Sequence, residues 1–295
     1  MRENGPVTSA TRTSESSPAA VPPRLIATDL DGTLLRDDQS VSPRTVAALA
    51  AAEAAGIEVF FVTGRPARWM DVVADHVHGH GLAICGNGAA VVDLHDGPGS
   101  HRFVKVRDLA RDNALDAVRL LRDAAPGTVY ALEQTYGFHQ EPGYPHLHLE
   151  VPDTLAPAED LLSPGGAATA EPLLKILAYH AALEPDAFLT LARLALGDRA
   201  GVTRSSPSAL LELSGPGVSK ASTLALCCAE RGIAPEEVVA FGDMPNDVEM
   251  LTWAGRSYAM GNAHPAAVRA ASGRTAANND DGVAVMIEKL LAELP

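Results

Sequence analysis

Cysteine is scarce in this chain: Cys85, Cys227 and Cys228 are the only three in 295 residues. An odd number with two adjacent is no disulfide framework, and no C-x-x-C or histidine pair stands at zinc-ligand spacing. They are expected to be reduced, buried, small apolar residues, with no base assignable to make Cys85 a nucleophile. Long apolar runs are also missing. The most alanine-rich stretch, Val46 to Ala55, is too short for a membrane span and is broken by Glu53. Basic residues are few: 23 Lys and Arg stand against 37 Asp and Glu, a net charge of −14. That argues against a nucleic-acid or anionic-membrane surface, both of which need basic patches. It favours a soluble cytoplasmic enzyme with a locally positive site. Residues 1–22 are rich in Ser, Thr, Pro and Ala and carry no apolar segment after Arg2. They are expected to form a disordered tail rather than a secretory signal.

What is present is an alternation of strand and helix patterns in a chain that is 46% apolar, enough for one large domain or two ordinary ones. Leu25-Ile26-Ala27 predicts a short buried strand. Ser42-Pro43 pairs an N-cap with proline at the first helical position, and Gly56 ends that helix. Ile57 to Val62 is a nearly unbroken apolar strand, as in a sheet covered on both faces. A helix to about Val77 and a strand over Leu82 to Cys85 follow. From about residue 90 the order changes, and the segment to 204 reads as an inserted α+β domain. Its predicted elements are strands at Ala89 to Leu94, Thr128 to Leu132, Leu173 to His180 and Gly201 to Thr203, with helices at Leu109 to Ala124 and Pro185 to Leu196. The alternating pattern then returns: strands at Ala209 to Leu213 and Val238 to Phe241, helices at Val218 to Arg231 and Asn246 to Ala254, strands at Ser257 to Met260 and Thr275 to Ala277, and a closing helix from Val283. The expected organisation is a core of 23–89 and 205–295, interrupted by a 90–204 insert.

The chemistry concentrates at strand exits. Asp29 and Asp31 follow the first strand two positions apart, ahead of Gly32. Like charges placed so close are costly unless a divalent cation lies between them. Thr63 and Gly64 leave the second strand, Lys220 opens a helix, and Asp243, Asn246 and Asp247 follow a later strand. In a doubly wound sheet such ends converge on one crevice. Carboxylates for a hard metal, with a hydroxyl and a lysine for oxyanion oxygens, suit phosphoryl transfer. Duller readings exist for several of these. Thr63 would cap the next helix, Asn246 would cap its own, Asp247 would complement a helix dipole, and Arg65 would be structural or touch the substrate edge. Lys220 at a helix N-terminus opposes the dipole, a misfit that favours function.

These segments resemble the haloacid dehalogenase superfamily of phosphatases. The D-x-D-G-T-L motif stands as Asp29 to Leu34, the strand-end Thr-Gly-Arg as Thr63 to Arg65, G-V-S-K as Gly217 to Lys220, and G-D-x-x-N-D as Gly242 to Asp247. Asn87-Gly88-Ala89, Gly261-Asn262-Ala263 and Asn279 to Val283 are similar to the Cof-type branch, whose large α+β cap lies between the second and third motifs. One departure is Ala221, where many relatives have glycine. The resemblance implies a Rossmann-like α/β core with an inserted cap, and a Mg²⁺-dependent phosphatase acting on a small phosphate ester through an aspartyl-phosphate. It implies Asp29 as nucleophile and Asp31 as acid and base. Metal contacts would come from Asp29, the Asp31 carbonyl, Asp243 and Asp247, and phosphate contacts from Thr63, Gly64, Lys220 and Asn246. A phosphomutase and a fold-retaining protein without turnover are the alternatives. Free phosphate as product separates the first, and the intact set of residues speaks against the second. In the insert, Glu133, Tyr136, His139 and Lys175 are candidate substrate contacts, while His146 and His148 alone make a poor metal site.

Overall fold

The computed structural model describes residues 21–74, 81–99, 101–145 and 151–294. Residues 1–20 of the expected tail, the end of the helix expected to reach Val77, and His146 and His148 lie outside the described residues.

The core is an eight-stranded sheet in the order β14-β13-β12-β1-β2-β3-β4-β5. Its strands are β1 (Leu25–Thr28), β2 (Glu58–Val62), β3 (Leu82–Cys85), β4 (Ala90–Asp93), β5 (Arg102–Val106), β12 (Val238–Gly242), β13 (Arg256–Ala259) and β14 (Gly273–Arg274). The six from β14 to β3 run parallel; β4 and β5 add an antiparallel edge. Burial explains the nearly unbroken apolar sequences of the central strands β1, β2 and β12. Ile26, Val59, Phe61, Val239 and Phe241 face one cluster with helices α1 (Pro43–Ala54) and α9 (Gly282–Ala292). Leu25, Ala27, Phe60, Val62, Val238 and Ala240 face another, with α6 (Lys220–Glu230), α7 (Val248–Trp253) and α8 (Pro265–Ala270). Period-two alternation thus feeds two cores at once, and no polar face is left for the strands to show.

The inserted sheet runs β10-β11-β9-β6-β7-β8, from β6 (Val129–Gln134), β7 (Phe138–Gln140), β8 (Thr154–Leu155), β9 (Leu173–Tyr179), β10 (Gly201–Thr203) and β11 (Leu210–Ser214). Helices α3 (Arg111–Ala124), α4 (Ala158–Leu162) and α5 (Pro185–Leu196) cover one face, around Tyr130, Leu132, Ile176, Ala178, Leu211 and Leu213. Its other face looks toward the core. Among the described residues no helix is long and apolar enough to cross a membrane. The short α2 (Asp71–Ala74) follows a 3₁₀ turn at Ala67–Trp69.

The insert is displaced from the expected 90–204. Ala90–Asp93 pairs with β3 and extends the core sheet, whereas Leu210–Ser214 pairs with β9 and belongs to the inserted one. The chain crosses between sheets near Arg107–Asp108 and Gly215, and a Cβ on Gly215 would stand 2.8 Å from the Asp108 carbonyl, so the two crossings run side by side. Periodicity identifies a strand but does not name its partner, and both segments sit beside crossings where either sheet could claim them. The expected strand at Thr275 to Ala277 is also corrected, since pairing falls on Gly273–Arg274.

Candidate active site

β1 lies between β12 and β2, with Thr28 in register with Phe241 on one side and Phe61 on the other. The connection through α1 leads one way and β12 arrives from the other, which makes this the topological switch point of the sheet. Asp243, Asp29 and Thr63 therefore leave three adjacent strands at the same edge. Gly32 completes the turn after β1 with φ +73°, and a Cβ there would stand 2.4 Å from Asp243 Oδ2. Only glycine lets the Asp29 loop lie against Asp243 in that way.

Lys220 arrives from the opposite side. A capping box of Ser219 and Ser222 starts α6, so Lys220 enters the helix in its first turn. Its side chain is fully buried, and its Nζ donates to Asp29 Oδ1 and Asp247 Oδ1, each at 2.7 Å. The misfit with the helix dipole is resolved by these carboxylates. Asp247 Oδ2 accepts from the Asp243 and Met244 amides, each at 3.0 Å, and the Thr33 hydroxyl donates to Asp243 Oδ1 at 3.0 Å. Asp29, Asp243 and Asp247 are all buried, with one oxygen from each within 4.8 Å of the others.

Three carboxylates face one ammonium, and the electrostatics register the deficit. Burial, and then the charge of Asp247, push the Asp29 carboxyl well above the ordinary carboxylate range, despite Lys220. Burial and Asp247 likewise push Asp243 up to about 7. Burial pulls the Lys220 ammonium down, but Asp247 and Asp29 outweigh it and the net shift is upward. Oxygen-only ligands, strong desolvation and uncompensated negative charge are the donor set of a hard divalent cation.

Asp31 does not join this cluster. Its carboxylate is half-exposed and held by Arg65, whose Nε donates to Oδ2 at 2.7 Å. Asp31 stands inside the turn that the Thr33 amide closes on the Leu30 carbonyl at 3.1 Å, with Gly32 at φ +73°, so the two aspartates do not share a face as they would on a continuing strand. Both line a cavity of about 960 Å³, as do Thr63, Gly64 and Asn246. The Thr63 hydroxyl oxygen accepts from the Arg65 amide at 3.1 Å, inside the loop rather than at a helix start. Asn246 Nδ2 donates to Asn87 Oδ1 at 3.0 Å, while its own Oδ1 is buried with no partner.

The inserted sheet roofs this cavity with Glu133, Phe138, Lys175, Leu177, Leu210 and Glu212. Of the four polar candidates there, Glu133 and Lys175 face the cavity. Tyr136 is exposed and edge-on to Phe103, and His139 turns to Gln134 Oε1 at 2.8 Å. The sequence reading missed Arg68, which is ion-paired to Glu133 across the cleft, as well as Trp69, Phe138 and Glu212. Glu212 carried a usable signal, a lone charge in the apolar strand Leu-Leu-Glu-Leu-Ser. Cys85 is buried, and burial pushes its thiol up to about 12, so no thiolate is available there.

Comparison with known proteins agrees with this geometry. The family model of the haloacid dehalogenase-like hydrolases matches residues 26–287, and the chain belongs to that family. It is 30% identical over 285 residues to the 5-amino-6-(5-phospho-D-ribitylamino)uracil phosphatase YitU of Bacillus subtilis, covering 90% of this chain and 97% of that protein. It is 29% identical over 273 residues to the pyridoxal phosphate phosphatase YbhA of Escherichia coli, covering 90% and 97%. A phosphatase of the same superfamily from Bacteroides thetaiotaomicron shares the fold at TM-score 0.76 and 23% identity, over 96% of this chain and all of that one. The chain is a hydrolase of phosphate monoesters.

Proposed function

We infer that this phosphatase is Mg²⁺-dependent and works through an aspartyl-phosphate, and the observation that carries this reading is the buried cluster of Asp29, Asp243 and Asp247, in which Lys220 bridges Asp29 and Asp247. Asp29 attacks phosphorus, its Oδ forming the new P–O bond as the ester P–O bond breaks. Asp31 protonates the departing alkoxide. It then takes a proton from the water that attacks the aspartyl-phosphate, releasing inorganic phosphate and regenerating the Asp29 carboxylate. Asp31 is suited to this by its place, since its carboxylate lies on the cavity side of the Gly32 bend, where the leaving group departs. Lys220, Thr63, the Gly64 segment and Asn246 hold phosphoryl oxygens and offset charge as the bond order changes. Asp29, Asp243, the Asp31 carbonyl and Asp247 would hold Mg²⁺, with Asp247 acting through a retained water. When bound, Mg²⁺ supplies the positive charge that lets the nucleophile and the phosphate dianion share one buried site.

The leaving group faces the roof. Several polar residues of the roof are engaged with protein partners: Glu133 with Arg68, Lys175 with Glu212, and Ser206 with Ser208. Pro66, Trp69, Phe138, Leu177 and Leu210 give the cavity an apolar side, with the Arg68 guanidinium over the Trp69 and Phe138 rings. That favours a phosphate ester carrying a flat or heterocyclic group, of the kind on which YitU and YbhA act by name. The test is phosphate release from an aryl phosphate with Mg²⁺ or chelator, for wild type and Asp29→Asn. Metal-dependent release that the variant loses supports the reading. Metal-independent release, or full activity in the variant, overturns it.

A further inference from the structure

A buried polar chain links the inserted sheet to the groups that hold phosphate. Glu212 of β11 and Lys175 of β9 form an ion pair whose side chains are 3% and 5% exposed. Lys175 Nζ also donates to the Gly64 carbonyl of the core at 2.6 Å. Glu212 Oε2 accepts from Asn87 Nδ2 at 2.9 Å, and Ser205 donates to Glu212 Oε1. Asn87 Oδ1 in turn accepts from Asn246 Nδ2 at 3.0 Å, and the Asn87 amide donates to the Thr63 carbonyl at 3.0 Å. A Cβ on Gly64 would stand 3.3 Å from Asn87 Oδ1 and 3.4 Å from both Glu212 oxygens, so the phosphate loop packs directly on these groups.

The arrangement costs energy for stability alone. A charged pair and two amides buried at a junction between sheets are seldom better than apolar packing, and Asn87 takes a left-handed backbone with φ +54°, unusual for a side-chain-bearing residue. The polar chain meets the core side of the site at Thr63, Gly64 and Asn246, and its Lys175 and Glu212 line the same cavity, which is where a device for placing the phosphoryl group needs to act.

We propose that Glu212, Lys175 and Asn87 are positioning residues that fix the Thr63–Gly64 turn and Asn246 according to how the inserted sheet sits on the core. They act through these core groups rather than on phosphorus. The cap would then do more than select the leaving group: seated in register, it would complete the phosphate-holding side of a site whose nucleophile lies wholly in the core. This rests on the phosphatase reading above.

The test is Asn87→Gly, a substitution that suits the left-handed backbone and removes only the bridging amide. With Mg²⁺ and an aryl phosphate, kcat falls about tenfold to hundredfold, as for other groups that orient a site indirectly. Inhibition by orthovanadate weakens by a similar factor, while the melting temperature stays close to wild type. Glu212→Gln lowers kcat in the same way, and the double variant is no worse than the more affected single one, because both cut one chain. An active wild type whose Asn87→Gly variant keeps kcat and vanadate inhibition within about twofold overturns the relay alone, as do losses that multiply in the double variant. A wild type that neither releases phosphate nor responds to vanadate overturns the phosphatase reading and the relay together.

Discussion

The crevice at the strand ends and the inner face of the inserted sheet both bury charge, but they balance it differently. In the crevice three carboxylates share one ammonium. On the roof each acid has its own cation, Glu212 with Lys175 and Glu133 with Arg68. Balanced buried pairs serve registry, because each side chain already has its counter-charge. An unbalanced cluster is stable only while protonated or with a further cation, and its proton affinities show the strain. The lesson is that the sign sum of a buried cluster separates chemistry from assembly better than burial does.

The largest effect is expected from removing charge on the unbalanced side. Asp29→Asn is expected to lower kcat by about three orders of magnitude or more, since it deletes the proposed nucleophile. The same change relieves repulsion in the metal-free protein and so raises its melting temperature, a gain readable by calorimetry in chelator. Lys220→Ala goes the other way. It leaves three buried carboxylates without their ammonium and is expected to cost about a hundredfold or more in kcat, by phosphate release, with a lowered melting temperature in chelator.

On the balanced side, truncating one partner is expected to hurt stability more than deleting the pair. Glu212→Leu alone strands Lys175 and is expected to cost about 3–5 kcal/mol in urea unfolding, whereas Glu212→Leu with Lys175→Met recovers most of it. Arg68→Ala removes the cation paired with Glu133, whose side chain is 3% exposed against 30% for Arg68. It is expected to raise KM for a bulky phosphate ester by about tenfold, with a smaller effect on a minimal one.

The smallest effect is one of pH. Asp29 and Asp243 both bind protons more tightly folded than unfolded, so their contribution favours the fold below the ordinary carboxylate range. It is lost as pH rises through about 7, the value for Asp243. Metal-free protein is therefore expected to lose melting temperature between pH 6 and pH 8 from this cluster. With Mg²⁺ held by this cluster as proposed, the ion competes with those protons and its stabilising shift is expected to grow over the same interval; a shift independent of pH would break the link between the cluster and the metal.

Neighbouring residues alone suffice for the strand-end motifs, the unbroken apolar strands of a doubly covered sheet, and the helix starts near Lys220 and Asn246. These are read from neighbouring residues because spacing along one strand or helix sets which side chains share a face. The convergence of Asp29, Thr63, Lys220 and Asp243 was legible too, since strands of one winding end at one edge. Three features were not. The sheet to which Ala90–Asp93 and Leu210–Ser214 belong depends on pairing across the chain, and periodicity carries no partner name. The parting of Asp31 from Asp29 depends on the left-handed turn at Gly32 and on Arg65. The roof depends on residues such as Glu212 and Arg68, whose partners lie 125 and 65 positions away in Asn87 and Glu133. Tertiary structure alone decided these, because a buried charge is tolerated only where a distant partner meets it, and that meeting is written in no local pattern.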